Sequence, residues 1–488
     1  MTINKVPAKR RILGAAPDGV VPSLARLQRV IIVGGGASGV LLAIHLLRES
    51  GAALEVVLIE RDVAVGKGLA YGTTHPRHLL NVRAASMSAF ADEPDHFTKW
   101  LAVHDSATGI ANHAIFFVER RLYAAYLESL IQPYLAPQGH LSLRHAEAVA
   151  IEITFDAAVV WMGDGTRLAG DVVVLATGYD GRPEQRLGHP FASPWLLPGQ
   201  GGVHRAATVA IRGTGLTMID YVLALAANGH RGPIYALSRH GCLPRVHRVF
   251  EPLHLKPTDI PFGTNLVTLW RWFRALVRDH AKRSGDWRAC VDALRPHTWA
   301  LWRRLPIESQ RRFLRHARAW WDVHRHRMAP DVQGRIDWLI ASGQLQVIAA
   351  KITDVDADGE RLRVSYRRRG RSAIETLAVD RFVDCSGVQS DPRQSPNPVI
   401  RHLIAKGLAR SDPLNLGLEV SGDWALIDGR GSASHRLYAI GPLTCYAGWE
   451  TTAIPDIRRQ CGELALRLRD PSLRFVVPAR HEVAHHDA

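Results

Sequence analysis

Arg29-Val30-Ile31-Ile32-Val33-Gly34-Gly35-Gly36-Ala37-Ser38-Gly39-Val40 runs a short β-branched stretch into a glycine cluster. Val40 to Arg48 then carries leucines and isoleucine at helical spacing until Gly51. A strand, a glycine turn and a helix in that order form the opening unit of a dinucleotide-binding fold. Gly34, Gly36 and Gly39 fit G-x-G-x-x-G, with Ala37 and Ser38 between them. The first glycine makes the turn, the second lets a pyrophosphate approach, and the third lets helix and strand pack closely. Val30 to Leu47 has 18 residues free of Asp, Glu, Lys and Arg, yet its glycines read as a turn rather than a membrane span.

Working outward, Glu55 to Glu60 is a second buried strand, and Glu60 stands 21 residues past Gly39, where a carboxylate can hold an adenosine ribose. Strand-like pieces follow at Ala146 to Phe155, Ala157 to Met162 and Asp171 to Leu175. Ala176-Thr177-Gly178 comes next, and the small residues Thr177 and Gly178 allow backbone to approach a cofactor. A second strand, glycine turn and helix opens at Thr208, with Gly213, Gly215 and Thr217 in the turn and Met218 in place of the third glycine. Counting 26 residues from the first glycine reaches Glu60 in the first unit and Arg239 in the second. An acid there suits a free ribose hydroxyl, whereas Arg can take a 2′-phosphate, so the second unit points to NADPH. A solvated charge at the strand end is the other reading of Arg239.

The chain has 488 residues with 61 Lys and Arg against 46 Asp and Glu, a formal charge of +15. That length buries several cores, and the charge favours anions such as phosphorylated cofactors, nucleic acid or acidic lipid. Residues 261–330 hold +10 of the excess and seven of the 13 Trp. Arginines interleaved with aromatics could bind single-stranded nucleic acid. The helical spacing of Trp299 with Trp302, and of Phe313 with Trp320, instead predicts that most of these rings form the core of an inserted helical subdomain. Its arginines would then shape an entrance, and no nucleic-acid partner is expected. Five cysteines without a C-x-x-C pair argue against both a disulfide framework and a dithiol redox centre, and point to a cytoplasmic protein. Arg10-Arg11 lacks the apolar run of an export signal, and His481-Glu482-Val483-Ala484-His485 reads as a chance match to a zinc motif near the chain end. No metal is expected, and Asp220, near the start of the second helix, is given no catalytic role.

Gly68-Leu69-Ala70-Tyr71-Gly72-Thr73, His78-Leu79-Leu80-Asn81-Val82-Arg83-Ala84, Met87-Ser88, Gly213 to Thr217, Gly441-Pro442-Leu443-Thr444 and Trp449-Glu450 together resemble the FAD/NAD(P)-binding family of flavin-dependent urate hydroxylases and L-aspartate N-monooxygenases. Cys445 to Gly448 departs from that family's pattern. The resemblance implies FAD in the first fold, NAD(P)H in the second, and a flavin ring near Asn81, Met87 and the Gly441 turn, with Trp449 among the cofactor-binding residues and closing the site with Asn81. It also implies that Arg120 lies near the FAD.

The expected architecture is α/β: two Rossmann-like folds, the FAD domain interrupted by an NAD(P)H domain. Residues 1–27 are a basic leader, 28–204 the first part of the FAD domain, and 205–344 the NAD(P)H domain with its insertion. Residues 345–470 return to the FAD domain, and 471–488 are a tail. The expected enzyme is an NADPH-oxidising flavoprotein monooxygenase in which O₂ adds to reduced flavin at C4a and the hydroperoxide hydroxylates a small nitrogen-containing molecule. A flavin reductase serving a quinone or protein acceptor, and a nucleotide-bound binding protein, are the alternatives.

Overall fold

The computed structural model describes residues 28–48, 54–104, 116–137, 139–179, 191–192, 194, 203–387 and 390–470. The leader, the tail and its H-E-x-x-H therefore lie outside the described residues.

Strand Gln28–Val33 lies inside a six-stranded sheet, and Val30, Ile31 and Ile32 have no exposed surface, packed against helix Ala37–Leu47 and the strand Arg167–Gly170. Leu54–Glu60 and Val172–Leu175 flank it in parallel, Leu141–His145 and Ala433–Ala439 lie outside these, and Ala425–Ile427 closes one edge antiparallel. Helices Ala37–Leu47 and Ile454–Arg469 pack on each other over this sheet.

The second sheet repeats the plan. Val209–Arg212 is central, Ile234–Ser238 and Asp384's strand, Arg381–Asp384, flank it in parallel, and Leu345–Asp358 lies beyond Ile234–Ser238. In both sheets, then, the strand before a small-residue loop, the glycine-turn strand, the acid- or Arg-ended strand and a third strand stand side by side in the same order. An antiparallel meander follows the third strand in each: Ala148–Gly170 in the first fold, and Arg361–Arg368 with Ile374–Val379 in the second.

This topology corrects the boundary expected at 344/345. The strands from 345 to 384 pair with Ile234–Ser238 and Val209–Arg212, so they complete the second fold, and the first fold resumes in the segment from 390. The duplication covers the whole unit, not only its glycine turn.

Between the second fold's strands sits the helical insertion, Leu266–Lys282 through Arg318–Arg325, after which Pro330–Ala341 packs Val332, Ile336 and Leu339 against the helix Leu216–Ala227. The expectation that most insertion tryptophans form its core is only partly met. Trp299 and Trp302 are buried, Trp320 is 38% exposed, and the other four are half-buried. The insertion's two buried rings pack onto the first fold: Trp299 edge-on to Trp424, Trp302 stacked on Trp449 at 4.3 Å.

Candidate active site

Each fold presents its glycine loop at the carboxyl end of its sheet. Gly34 has φ +107°, and a Cβ there would sit 2.6 Å from the Ala176 carbonyl oxygen. Gly213 has φ +105°, and its Cβ would sit 2.4 Å from the Cys385 carbonyl oxygen. Thus the loops Ala176-Thr177-Gly178 and Cys385-Ser386-Gly387 touch the first glycine of their own fold in the same way, and glycine is required by both dihedral and contact. Gly39 is equally constrained, since its Cβ would lie 1.9 Å from the Gly34 carbonyl oxygen. At the equivalent place in the second fold Met218 is fully buried among the core residues.

Both loops open onto one cavity of about 1020 Å³. Gly34, Gly36, Ala37, Ser38, Glu60, Thr177 and Gly178 line its first end, and Gly213, Gly215, Thr217 and Arg239 its second. The Glu60 carboxylate is set in place by the Gly35 N–H at 2.7 Å and the Asp62 N–H at 3.0 Å. The residues fit dinucleotides at both ends. A Cβ on Gly178, Gly215 or Gly387 would meet nothing within 4 Å, so bare backbone faces open space. The buried Thr177 hydroxyl has no partner among the described residues and can bond a bound group.

Of the other expected site residues, Trp449 lines the cavity, held by Trp302 and by Phe313 edge-on at 5.4 Å. Gly441 lies just behind the wall. Its N–H donates to Gln460 on helix Ile454–Arg469, and a Cβ there would strike the Ser38 hydroxyl at 2.5 Å. That helix begins at the cavity, with Ile454 and Ile457 on the wall. Its N-terminal end can favour negative charge on a bound ring.

Asn81, Met87 and Arg120 are not brought to this wall. Met87 is buried in the first core. Arg120 and the rest of the His78 to Arg83 string form a seam between the two folds. The Arg120 guanidinium bonds Asp220 Oδ2 at 2.7 Å and the Leu79 carbonyl at 3.1 Å. His78 Nε2–H donates to the Asp220 carbonyl at 3.0 Å while Nδ1 accepts from the Thr73 hydroxyl at 2.7 Å. His247 Nε2–H donates to the Asn81 carbonyl, and Arg83 to the Arg248 carbonyl, both at 3.0 Å. Burial keeps His78 below the usual histidine range and lowers His247 to about 3, so both stay neutral donors.

Several residues missed by the sequence reading come from the insertion and the residue that follows it. Leu314 and Arg315 on a π-helical turn, and Arg318, Asp322 and His326 after it, line the same cavity. Arg318 and Asp322 face each other at 3.4 Å, and burial pushes the Asp322 carboxyl up and the His326 imidazole down. Tyr179 and Cys445 complete this end, with the tyrosine hydroxyl and the thiol both raised by burial. The spacing of 315, 318, 322 and 326 by three or four was the signal that could have found them. Glu450, φ +69°, anchors the insertion: its carboxylate accepts from Trp321 Nε1 at 2.5 Å and Arg325 Nε at 2.8 Å. Burial alone would raise that carboxyl, but Arg325, His326 and Trp321 together hold it below the usual range.

These features define a chain of two dinucleotide-binding folds that share one cavity. Residues 31–180 match the family model described as FAD-NAD(P)-binding. Comparison with curated protein sequences gives no match. Among solved structures the chain is similar to an ornithine N-hydroxylase from Kutzneria sp. 744, solved with FADred, NADP+ and L-orn. The identity is 18%, over 91% of this chain and 100% of that one, with a TM-score of 0.62. It is also similar to an ornithine hydroxylase from Pseudomonas aeruginosa, at 17% identity over 91% of this chain and 99% of that one, with a TM-score of 0.59. An L-lysine 6-monooxygenase from Pseudomonas syringae gives 16%, 90%, 98% and 0.59. At these identities the likeness is one of fold. Among the described residues no helix is long and apolar enough to cross a membrane, and no cluster of three or more His, Cys, Asp or Glu could hold a metal.

Proposed function

We propose that the protein is an FAD-dependent, NADPH-oxidising monooxygenase that hydroxylates a small nitrogen-containing molecule with O₂. The observation that carries this reading is the opening of both glycine loops, one ending in Glu60 and the other in Arg239, onto a single cavity. FAD at the first loop would supply hydride acceptance and oxygen activation. The chain's own part is to bind, orient and exclude water. The Gly34 and Gly213 turns bring backbone N–H groups to the pyrophosphates, Arg239 receives a 2′-phosphate, and the insertion roofs the cavity. Arg315 and Arg318 beside Asp322 give that roof both signs of charge, which suits a substrate carrying an amine together with an acidic group. The N-hydroxylating neighbours and the likeness of the His78 to Arg83 string to flavin-dependent urate hydroxylases and L-aspartate N-monooxygenases support the same chemistry. A cytoplasmic location agrees with five cysteines that are all free.

The test is to purify the protein, measure FAD per chain, and follow NADPH oxidation with ¹⁸O₂ across small amines and amino acids. We expect about one FAD per chain and ¹⁸O in a substrate-dependent product. Gly36→Trp should fold yet be colourless, because the indole fills the pyrophosphate space. NADPH oxidation that feeds a quinone with no oxygenated product would make the protein a reductase instead.

A further inference from the structure

A second cleft, of about 780 Å³, shares Pro244 with the cofactor cavity and is otherwise built from different residues. Its volume lies in the range of small-molecule sites. Trp287 and His324 form an aromatic floor, their rings edge-to-face at 4.8 Å. Arg288 covers the indole at 4.4 Å, but its charge is spent: it is buried, paired with Asp286 at 3.0 Å and bonded to the Val246 carbonyl at 2.8 Å.

Arg245 and Arg248 differ from Arg288. Both are exposed and line the cleft, and neither side chain makes a hydrogen bond or ion pair among the described residues. Their main chains are fixed. The Arg245 N–H donates to the Val323 carbonyl at 2.8 Å, the Arg245 carbonyl accepts from Met328 at 2.9 Å, and the Arg248 carbonyl accepts from Arg83 at 3.0 Å. The one acid of the lining, Asp337, already accepts from Gln333 at 2.5 Å. Arg245 and Arg248 project from a fixed main chain into a cleft with an aromatic floor, and Asp286, the acid that feels Arg248, is already paired with Arg288, so two guanidinium groups are left to receive a carboxylate carried on a flat ring.

The cleft also touches the second glycine loop. Thr214, between Gly213 and Gly215, donates its hydroxyl to the Cys242 carbonyl at 2.7 Å and pairs with Ser238 Oγ at 2.9 Å, while the Gly241 N–H donates to the same Ser238 oxygen at 3.0 Å. Gly241 and Cys242 line the cleft, so a ligand that shifts them pulls on Thr214, directly from the Cys242 carbonyl and from Gly241 through Ser238.

We propose that this cleft is a second small-molecule site, for an aromatic carboxylate, and that its occupation changes the protein's use of NADPH. Binding rests on the cleft alone, whereas the coupling rests on the reading of the second fold as the NADPH site.

Benzoate is the probe, titrated calorimetrically into the full-length holoenzyme with benzyl alcohol as the uncharged control. We expect benzoate to bind, benzyl alcohol to bind at least about ten-fold more weakly, and the R245A/R248A double variant to lose benzoate affinity by about ten-fold or more. R245K/R248K should recover part of it, and R318A, in the first cavity, should leave it unchanged. Saturating benzoate should move the KM for NADPH about two-fold or more in the wild type and not in R245A/R248A. Equal benzoate affinity of wild type and double variant would overturn the site, as would loss of affinity in R318A alone. A double variant that loses its NADPH-over-NADH preference without benzoate would assign the cleft to the cofactor itself. Benzoate binding with an unmoved KM would remove the coupling, and benzoate binding in a protein that does not oxidise NADPH would separate the site from the proposed function.

Discussion

The Arg120 guanidinium and the Asp220 carboxylate meet at 2.7 Å across the seam between the two folds, each side chain less than a fifth exposed. Arg120 opens helix Arg120–Ile131 of the first fold, and Asp220 lies in the second fold's glycine-turn helix, Leu216–Ala227, so this ion pair ties that helix to the first fold. The adjoining His78 bond to the Asp220 carbonyl closes the same joint.

Arg120→Ala should lower stability by about 1.5–3 kcal/mol, the range for a hydrogen bond to a charged group, read from urea unfolding. Arg120→Ala with Asp220→Ala should cost less than the two single changes added, because the second removal no longer strands a charge. FAD content should stay near that of the wild type in each. Loss of flavin from a folded Arg120→Ala protein would put this arginine at the cofactor, as the family resemblance implies.

Arg239 lines the second end of the cavity, where the first end has Glu60. Arg239→Ala should reduce the ratio of kcat/KM for NADPH over NADH by about ten- to a hundred-fold, equivalent to ~1.5–3 kcal/mol for a lost charge-assisted contact. An unchanged ratio would move the 2′-phosphate to another group.

What the sequence disclosed was local. Gly34, Gly39 and Glu60 fall within one strand, turn, helix and strand, so spacing alone put them together. The same spacing found Gly213 and Arg239 despite Met218. The sequence from Leu345 to Val355 reads as a strand, but an apolar strand reads alike in either parallel sheet, and only the pairing of Leu345–Asp358 with Ile234–Ser238 assigns it to the second fold. The seam was beyond reach for a related reason: His78 and Asp220 are 142 positions apart, and Asn81 and His247 are 166 apart. Nothing in local pattern encodes such pairs. The insertion's charge was visible, but which arginines face the cavity depends on helix register around the π-turn at Phe313–Ala317.

His247 makes the seam sensitive to acid. Burial is the main cause of its pKa of about 3, Arg327, Arg83 and Arg288 add repulsion, and the bond to the Asn81 carbonyl opposes them in part. The folded pKa is below the unfolded value of about 6.5, so the unfolded chain takes up the proton first. Stability from this group is therefore complete above about pH 6.5 and falls as the pH drops from there toward 3. At pH 5 the loss reaches at most about 2 kcal/mol. His247→Gln keeps an amide donor without a titrating ring, so the fall in unfolding free energy between pH 7 and pH 5 should be smaller in the variant. An identical fall in both proteins would remove His247 from the acid response.

Glu450 ties the insertion to the first fold, and the tie has a consequence for coupling. Its carboxylate holds the buried Arg325 at 2.8 Å and the Trp321 indole, on the helix whose other residues, Arg318 and Asp322, line the cavity roof. Glu450→Gln keeps the shape and can still accept from Trp321, but it leaves the Arg325 charge without its partner, at a cost of about 3 kcal/mol. The loss falls on the roof rather than on the glycine loops, so FAD content and the KM for NADPH should change little while thermal stability drops. A loosened roof admits water to the cavity, and an oxygenating site depends on excluding it. On the proposed function, the variant should therefore oxidise NADPH with less hydroxylated product and more hydrogen peroxide per turnover. A variant that loses stability but keeps the wild-type ratio of product to NADPH would show that the roof's closure does not govern coupling.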